Sequence, residues 1–133
     1  MQVLKFGGSS VASATRMSGV MDIVCSALER GRVVLVCSAI SGCTDALLEI
    51  AATSDPVRRF ELIEILRQRH SAIIRRLFTG AEREGMLAEC ESLFQELASA
   101  PSEECVSFGE IFSTRIIARK CLCDGMKSAW IDS

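Results

Sequence analysis

The sequence predicts an α/β domain with a mainly parallel sheet flanked by helices, in a helix-rich arrangement. Two observations carry this. Two short apolar runs, in "VLKFGGSS" and "RVVLVCSAISG", each stop in a turn of glycine and serine. Between and after them, apolar residues recur at helical spacing. Strand, helix and strand within the first forty residues make a βαβ unit.

The elements follow in order. Val3 to Phe6 reads as a strand that ends on Gly7 and Gly8. Met17, Val20, Met21, Val24, Cys25 and Leu28 give a helical stripe, and Gly31 follows as a stop. "RVVLVCSA" is a continuous apolar run without a polar face, which reads as a strand buried on both sides of a parallel sheet. Thr44 is placed to cap a short helix carrying Leu47, Leu48, Ile50 and Ala51. Asp55 followed by Pro56 opens a longer helix with Phe60, Ile63, Leu66, His70, Ile73, Ile74 and Leu77 on its stripe and Gly80 at its end. A fourth helix carries Met86, Leu87, Cys90, Leu93, Phe94 and Leu97. Ser102 is expected to cap a fifth, which runs through Val106, Ile111, Phe112, Ile116 and Ile117 towards Gly125. The closing "KSAWIDS" looks like the start of a third strand.

Composition narrows the function classes. The 133 residues carry a formal charge of −2, without the basic excess of a nucleic-acid binder. No stretch has the apolar length of a membrane span, and the N-terminus lacks a signal-peptide pattern. The seven cysteines are odd in number and mostly sit in apolar segments. They read as small buried hydrophobes of a reducing cytoplasm, with no metal-ligand spacing. Arg58, Arg59, Arg67, Arg69, Arg75 and Arg76 on one middle helix face Glu82, Glu84, Glu89, Glu91 and Glu96 on the next. That pattern reads as the solvated faces of a helical hairpin. His70, the single histidine, reads as a core residue with its polar atoms satisfied.

The chemistry concentrates in three stretches. Ligands of open parallel sheets bind outside the carboxyl ends of the strands. There, Gly7 and Gly8 let backbone N–H groups approach a ligand, Ser9 and Ser10 add hydroxyls, and a helix N-terminus follows. The combination suits a phosphate. Lys5 lies two residues before the turn, so its ammonium can reach the same anion. The alternative is a solvent-facing strand lysine before a tight turn. The second stretch, "CSAISGCTD", brings Ser38, Ser41, Gly42 and Thr44 to the end of the neighbouring strand, where capping by Thr44 and Asp45 is the alternative role. In the third, "SFGEIFSTR", Gly109 and Glu110 interrupt an apolar helix, at a cost of about 1 kcal/mol for the glycine. Either a ligand or a neighbouring element comes close there, and Glu110 is free to hold a cation. Neither G-x-x-x-x-G-K-[ST] nor G-x-G-x-x-G occurs.

Taken together, Lys5-Phe6-Gly7-Gly8-Ser9-Ser10, Ser38-Ala39-Ile40-Ser41-Gly42-Cys43-Thr44-Asp45 and Phe108-Gly109-Glu110 resemble the aspartokinases, in the family's order and across the whole chain. The short lengths and compact start resemble the aspartokinase part of bifunctional aspartokinase–homoserine dehydrogenases. The resemblance implies a partial amino acid kinase fold. It implies transfer of the ATP γ-phosphoryl group to the β-carboxylate of L-aspartate, with Mg²⁺ carried on the nucleotide. Lys5 would neutralise the transferring phosphoryl group, and Gly7, Gly8 and Ser9 would line the phosphates. Thr44 would hydrogen-bond aspartate and Glu110 would pair with its α-ammonium, with Ser38 and Ser41 supporting the turn. Ser9 replaces the commoner threonine, and Cys43 replaces an aliphatic residue.

The resemblance further implies that residues 1–133 are the N-terminal part of one catalytic domain, without the family's downstream nucleotide pocket and regulatory domains. Such a piece is expected to lack activity and to self-associate as a homo-oligomer through an unprotected sheet edge. Two other readings compete: a piece of a glutamate- or uridylate-kinase-like protein, and a non-catalytic helical interaction module.

Overall fold

The computed structural model describes residues 1–131. Strand β1 (Gln2–Phe6) and strand β2 (Val33–Cys37) pair in parallel, with Lys5 opposite Val36 and Phe6 opposite Cys37. Helix α1 (Ala14–Leu28) makes the crossover; Ser13 caps it by accepting a hydrogen bond from the Arg16 N–H at 3.1 Å. The chain then forms α2 (Cys43–Ala52), α3 (Pro56–Leu77), α4 (Gly80–Ser99) and α5 (Phe108–Cys123). Asp55 caps α3 through the Val57 N–H at 3.1 Å, and Pro56 occupies its first turn, as the sequence predicts.

The hydrophobic core lies between the helices and one face of the sheet. Met17, Leu47, Ile50, Ile74, Met86, Leu97 and Ile116 are fully buried. They come from all five helices, so the helical stripes converge on one core. Truncating any one of them to alanine is expected to cost about 2–5 kcal/mol.

The other face of the sheet is open. Val3 is 58% exposed, Val34 44% and Val36 46%, and Lys5 stands among them on the same face. The parallel pairing expected from the apolar run is present, but β2 is not buried on both sides, because nothing among the described residues packs on that face. Phe60 also departs from its expected place. It is 68% exposed on the outer side of α3, whereas Phe78, just past the end of α3, is buried.

The expected third strand is not formed over residues 127–131, and Asp132 and Ser133 lie outside the described residues. A strand requires a ladder partner, and this segment binds helix α5 instead. The Trp130 indole N–H donates to the Thr114 hydroxyl at 2.8 Å, and the Arg115 guanidinium lies 3.8 Å from the Trp130 ring centroid.

Several of the arginines of the α3–α4 hairpin serve helix ends instead of a solvated face. Arg59 donates to the carbonyls of Leu97 and Ala100 at 3.4 Å each, at the end of α4. Arg83 donates to Phe78 and Arg75 carbonyls at 2.9 and 2.7 Å, at the end of α3. These contacts add donors at helix ends, where intrahelical N–H partners run out; the Leu97 carbonyl also accepts from the Ala100 N–H at 3.1 Å. Arg67 bridges the hairpin to Glu91 at 3.1 Å.

His70 is fully buried against Phe94 and Phe112, with ring centroids at 5.7 and 4.9 Å. One nitrogen, Nδ1, lies 2.9 Å from the Leu66 carbonyl, while Nε2 has no partner. The expected satisfied core histidine is therefore satisfied at one nitrogen only. Burial pushes its pKa down to about 4. The native state thus keeps the ring neutral while the unfolded chain binds a proton from about pH 6.5 downwards. Stability is predicted to be full above pH 6.5 and to fall as the pH drops from there towards 4. Near pH 5 this one residue should remove about 2 kcal/mol. Urea denaturation at pH 7 and pH 5 checks this, and His70→Leu should remove most of the slope between them.

Candidate active site

The two glycine–serine turns sit side by side at the carboxyl ends of β1 and β2. Two backbone hydrogen bonds lace them together: Ser38 N–H to the Phe6 carbonyl at 3.0 Å, and Ser41 N–H to the Gly8 carbonyl at 3.1 Å. Gly8 is a glycine because of this lacing. A Cβ there would stand 2.9 Å from the Ala39 carbonyl oxygen and 3.3 Å from the Ser41 nitrogen. Gly7 differs, since a Cβ on it would meet nothing within 4 Å. Gly7 thus borders open space, and Gly8 holds the second turn.

The expected helix N-terminus does not follow the first turn directly. Gly8–Val11 forms a short 3₁₀ segment, closed by the Ser10 N–H to the Gly7 carbonyl at 3.1 Å, and α1 begins only at Ala14. Lys5 and Ser9 are both exposed, Lys5 on the open face of the sheet.

In the second turn, Gly42 adopts φ 83° and itself occupies the cap position of α2. This left-handed conformation favours glycine. Thr44 therefore does not cap the helix. It lies in the first turn of α2, exposed, and among the described residues its hydroxyl has no hydrogen-bond partner in the protein. Ser38 and Ser41 are exposed as well. Cys43 is buried, and burial pushes its thiol up to about 11. Cys37 and Cys90 are pushed up to about 12 for the same reason. These thiols behave as the small hydrophobes expected from the sequence.

Helix α5 packs directly behind the second turn. A Cβ on Gly109 would come within 2.8 Å of the Ala39 Cβ and 3.1 Å of Leu47 Cδ1. Contact with a neighbouring element therefore accounts for this glycine. It also lies in the first turn of α5, since Ser102–Ser107 is a separate 3₁₀ segment for which Ser102 supplies no cap. The contact delivers Glu110 to the helix N-terminus, where a carboxylate is favoured. Glu110 is exposed and forms no ion pair among the described residues.

Ser113 carried no signal in the sequence. It is fully buried, and its hydroxyl donates to the Ser38 carbonyl at 2.8 Å. It ties the helix that bears Glu110 to the end of β2. Only the tertiary fold brings residues 75 positions apart into this contact.

Glu110 lines a groove of about 730 Å³ between β2 and α5, together with Val34, Val36, Thr114 and Trp130. Val36 pairs with Lys5 across the ladder, and Lys5 itself does not line this groove. A smaller cleft of about 380 Å³, between Glu82, Glu89, Arg115 and Arg119, includes none of the residues of the two turns. Among the described residues, no group of three or more His, Cys, Asp or Glu is placed to hold a metal ion.

A parallel βαβ unit with two laced small-residue turns at its carboxyl edge defines an α/β domain with its ligand face at the strand ends. The chain belongs to the amino acid kinase family, whose model matches residues 1–133. Among curated proteins it is 35% identical to the lysine-sensitive aspartokinase 3 of Escherichia coli K12, over 98% of this chain and 30% of that protein. It is 32% identical to the chloroplastic aspartokinase 1 of Arabidopsis thaliana, over 98% of this chain and 25% of that protein. The chain thus spans roughly a quarter to a third of the length of these relatives. Among solved structures, E. coli aspartokinase III with lysine and aspartate superposes with a TM-score of 0.81 at 30% identity, over 96% of this chain and 30% of that one. The same enzyme with aspartate and ADP gives 0.71 at 31% identity, over 98% of this chain and 31% of that one. The partial amino acid kinase fold expected from the sequence is therefore present, as a small parallel sheet with a helix-rich remainder.

Proposed function

We propose that this chain is the substrate-side, N-terminal part of an aspartate kinase catalytic domain. The whole enzyme would transfer the γ-phosphoryl group of ATP to the β-carboxylate of L-aspartate. The observation that carries this reading is the juxtaposition of two laced turns with a helix that presents an unpaired carboxylate. The free Thr44 hydroxyl, the open approach to Gly7 and the unpaired Glu110 each offer a group that the protein itself does not use. The solved relatives hold aspartate and ADP, which supports the same reading.

In this mechanism Lys5 places its ammonium against the transferring phosphoryl group, and the backbone at Gly7, Gly8 and Ser9 lines the phosphates. Thr44 donates to the aspartate, Glu110 receives its α-ammonium, and Ser38 and Ser41 shape the turn. The β-carboxylate oxygen attacks the γ-phosphorus, the bond to the bridging oxygen breaks, and ADP leaves. No protein nucleophile is required, so the protein contributes position and charge. Mg²⁺ is proposed to arrive on the nucleotide phosphates, where it would offset their charge. A cytoplasmic location fits the unpaired cysteines, of which Cys37, Cys43, Cys90, Cys105 and Cys121 are buried and Cys25 and Cys123 exposed.

Titration calorimetry of the protein, with its full catalytic domain, against L-aspartate and ATP–Mg²⁺ tests this. Binding of both supports the reading. Binding of glutamate or a nucleoside monophosphate in place of aspartate would move the chain to another amino acid kinase, and binding of neither would favour the interaction module.

The 133 residues by themselves are predicted to self-associate, since Val3, Val34 and Val36 leave an apolar sheet face in solvent. Sedimentation velocity at rising concentration should show a growing sedimentation coefficient. A single monomeric boundary throughout would contradict it.

A further inference from the structure

Helix α3 reaches the second turn through one side chain. Arg69 donates from Nη1 to the carbonyl of Ser41. The same nitrogen lies 3.5 Å from the point where a Cβ on Gly42 would stand. The guanidinium therefore rests on the peptide that joins Ser41 to the left-handed Gly42, one residue before α2 begins. On its other side the same turn is held by the Ser41 N–H to the Gly8 carbonyl and by the Cys43 N–H to the Ile40 carbonyl at 2.9 Å. Its neighbour Arg67 spends its charge on Glu64 and Glu91. Arg69 forms no ion pair among the described residues, so the carbonyl of Ser41 is its protein partner there.

We propose that Arg69 is a positioning residue for the aspartate-side turn: it fixes the Ser41–Gly42 peptide and thereby aims the first turn of α2, with Thr44, at the substrate. The physical basis is that a rigid turn keeps its donors in the bound geometry before the ligand arrives. A hydrogen bond from a charged donor to a carbonyl is stronger than a neutral one. Gly42, free of a Cβ, would otherwise leave this peptide able to rotate. The role in aspartate binding rests on the proposed function; the hold on the turn does not.

Two measurements on Arg69→Met and Arg69→Lys separate these. The first is amide hydrogen exchange. Arg69→Met should speed exchange at Ser41 and Cys43 by roughly three- to tenfold, with Val36 and Leu66 unchanged, and Arg69→Lys should recover part of the protection. Unchanged exchange at Ser41 and Cys43 would overturn the proposal. The second is steady-state kinetics of the protein with its full catalytic domain. Arg69→Met should raise the aspartate KM several-fold more than the ATP KM, with partial recovery in Arg69→Lys. Equal changes in both KM values and kcat would overturn the positioning role. If exchange responds as expected but the wild-type protein with its full catalytic domain turns over no aspartate, the hold on the turn stands and the proposed function falls.

Discussion

In the protein with its full catalytic domain, replacing Lys5 with alanine is expected to lower kcat by about 10²–10³-fold, the range found when a preorganised charge or donor facing a developing anion is removed. Lys5 stands on the open face of β1, beside Val36 and two residues before the glycine turn. Its exposure matters, because a lysine turned into the core could not meet a phosphate. The fold should tolerate the change. Lys5 takes part in no salt bridge among the described residues, and the strand is held by its ladder. The melting temperature should therefore stay within a few degrees of the wild type. Lys5→Arg should recover only part of the rate, since a broad guanidinium does not replace a compact ammonium. Stopped-time assays of ADP release decide this, and near-normal turnover in Lys5→Ala would remove the residue from the mechanism.

The second large effect is at Glu110. If its carboxylate receives the substrate ammonium, Glu110→Gln should raise the aspartate KM by about tenfold, the value of one charge-assisted hydrogen bond. The ATP KM should change much less, because Glu110 is placed by α5 and not by the glycine turn. The substitution keeps the shape and leaves Ser113 and Thr114 bonded to the Glu110 backbone carbonyl, at 3.3 and 2.6 Å. Equal rises in both KM values would mark Glu110 as structural.

Much of this site was legible because its signals are local. The strand ends, the Asp55–Pro56 start of α3 and the stripes of α1 and α4 follow from periodicity and capping over a few residues. The glycines were legible as positions and not as causes. Gly8 was read as room for a ligand and Gly109 as room for a ligand or a neighbouring element, and at each a Cβ would meet Ala39. Such contacts depend on how α5 and the two turns come together, which no local window contains. Thr44 was misread as a cap for a related reason. The left-handed Gly42 starts α2 two residues early, and this leaves the hydroxyl free. Ser113 and Arg69 were invisible, since a serine within a helix and one arginine among several carry no distinguishing pattern. The open face of β2 shows the limit of hydropathy: an apolar run reports what a strand is suited to pack against, not whether that partner lies within the same 133 residues.

The most direct test of the central claim is trapping of the product. The protein with its full catalytic domain is incubated with ATP–Mg²⁺ and L-aspartate in the presence of hydroxylamine, which converts an acyl phosphate to a hydroxamate. The account predicts aspartyl hydroxamate in step with ADP release, dependent on L-aspartate and lost in Lys5→Ala. ADP release without hydroxamate, or hydroxamate formed equally well by Lys5→Ala, would contradict it.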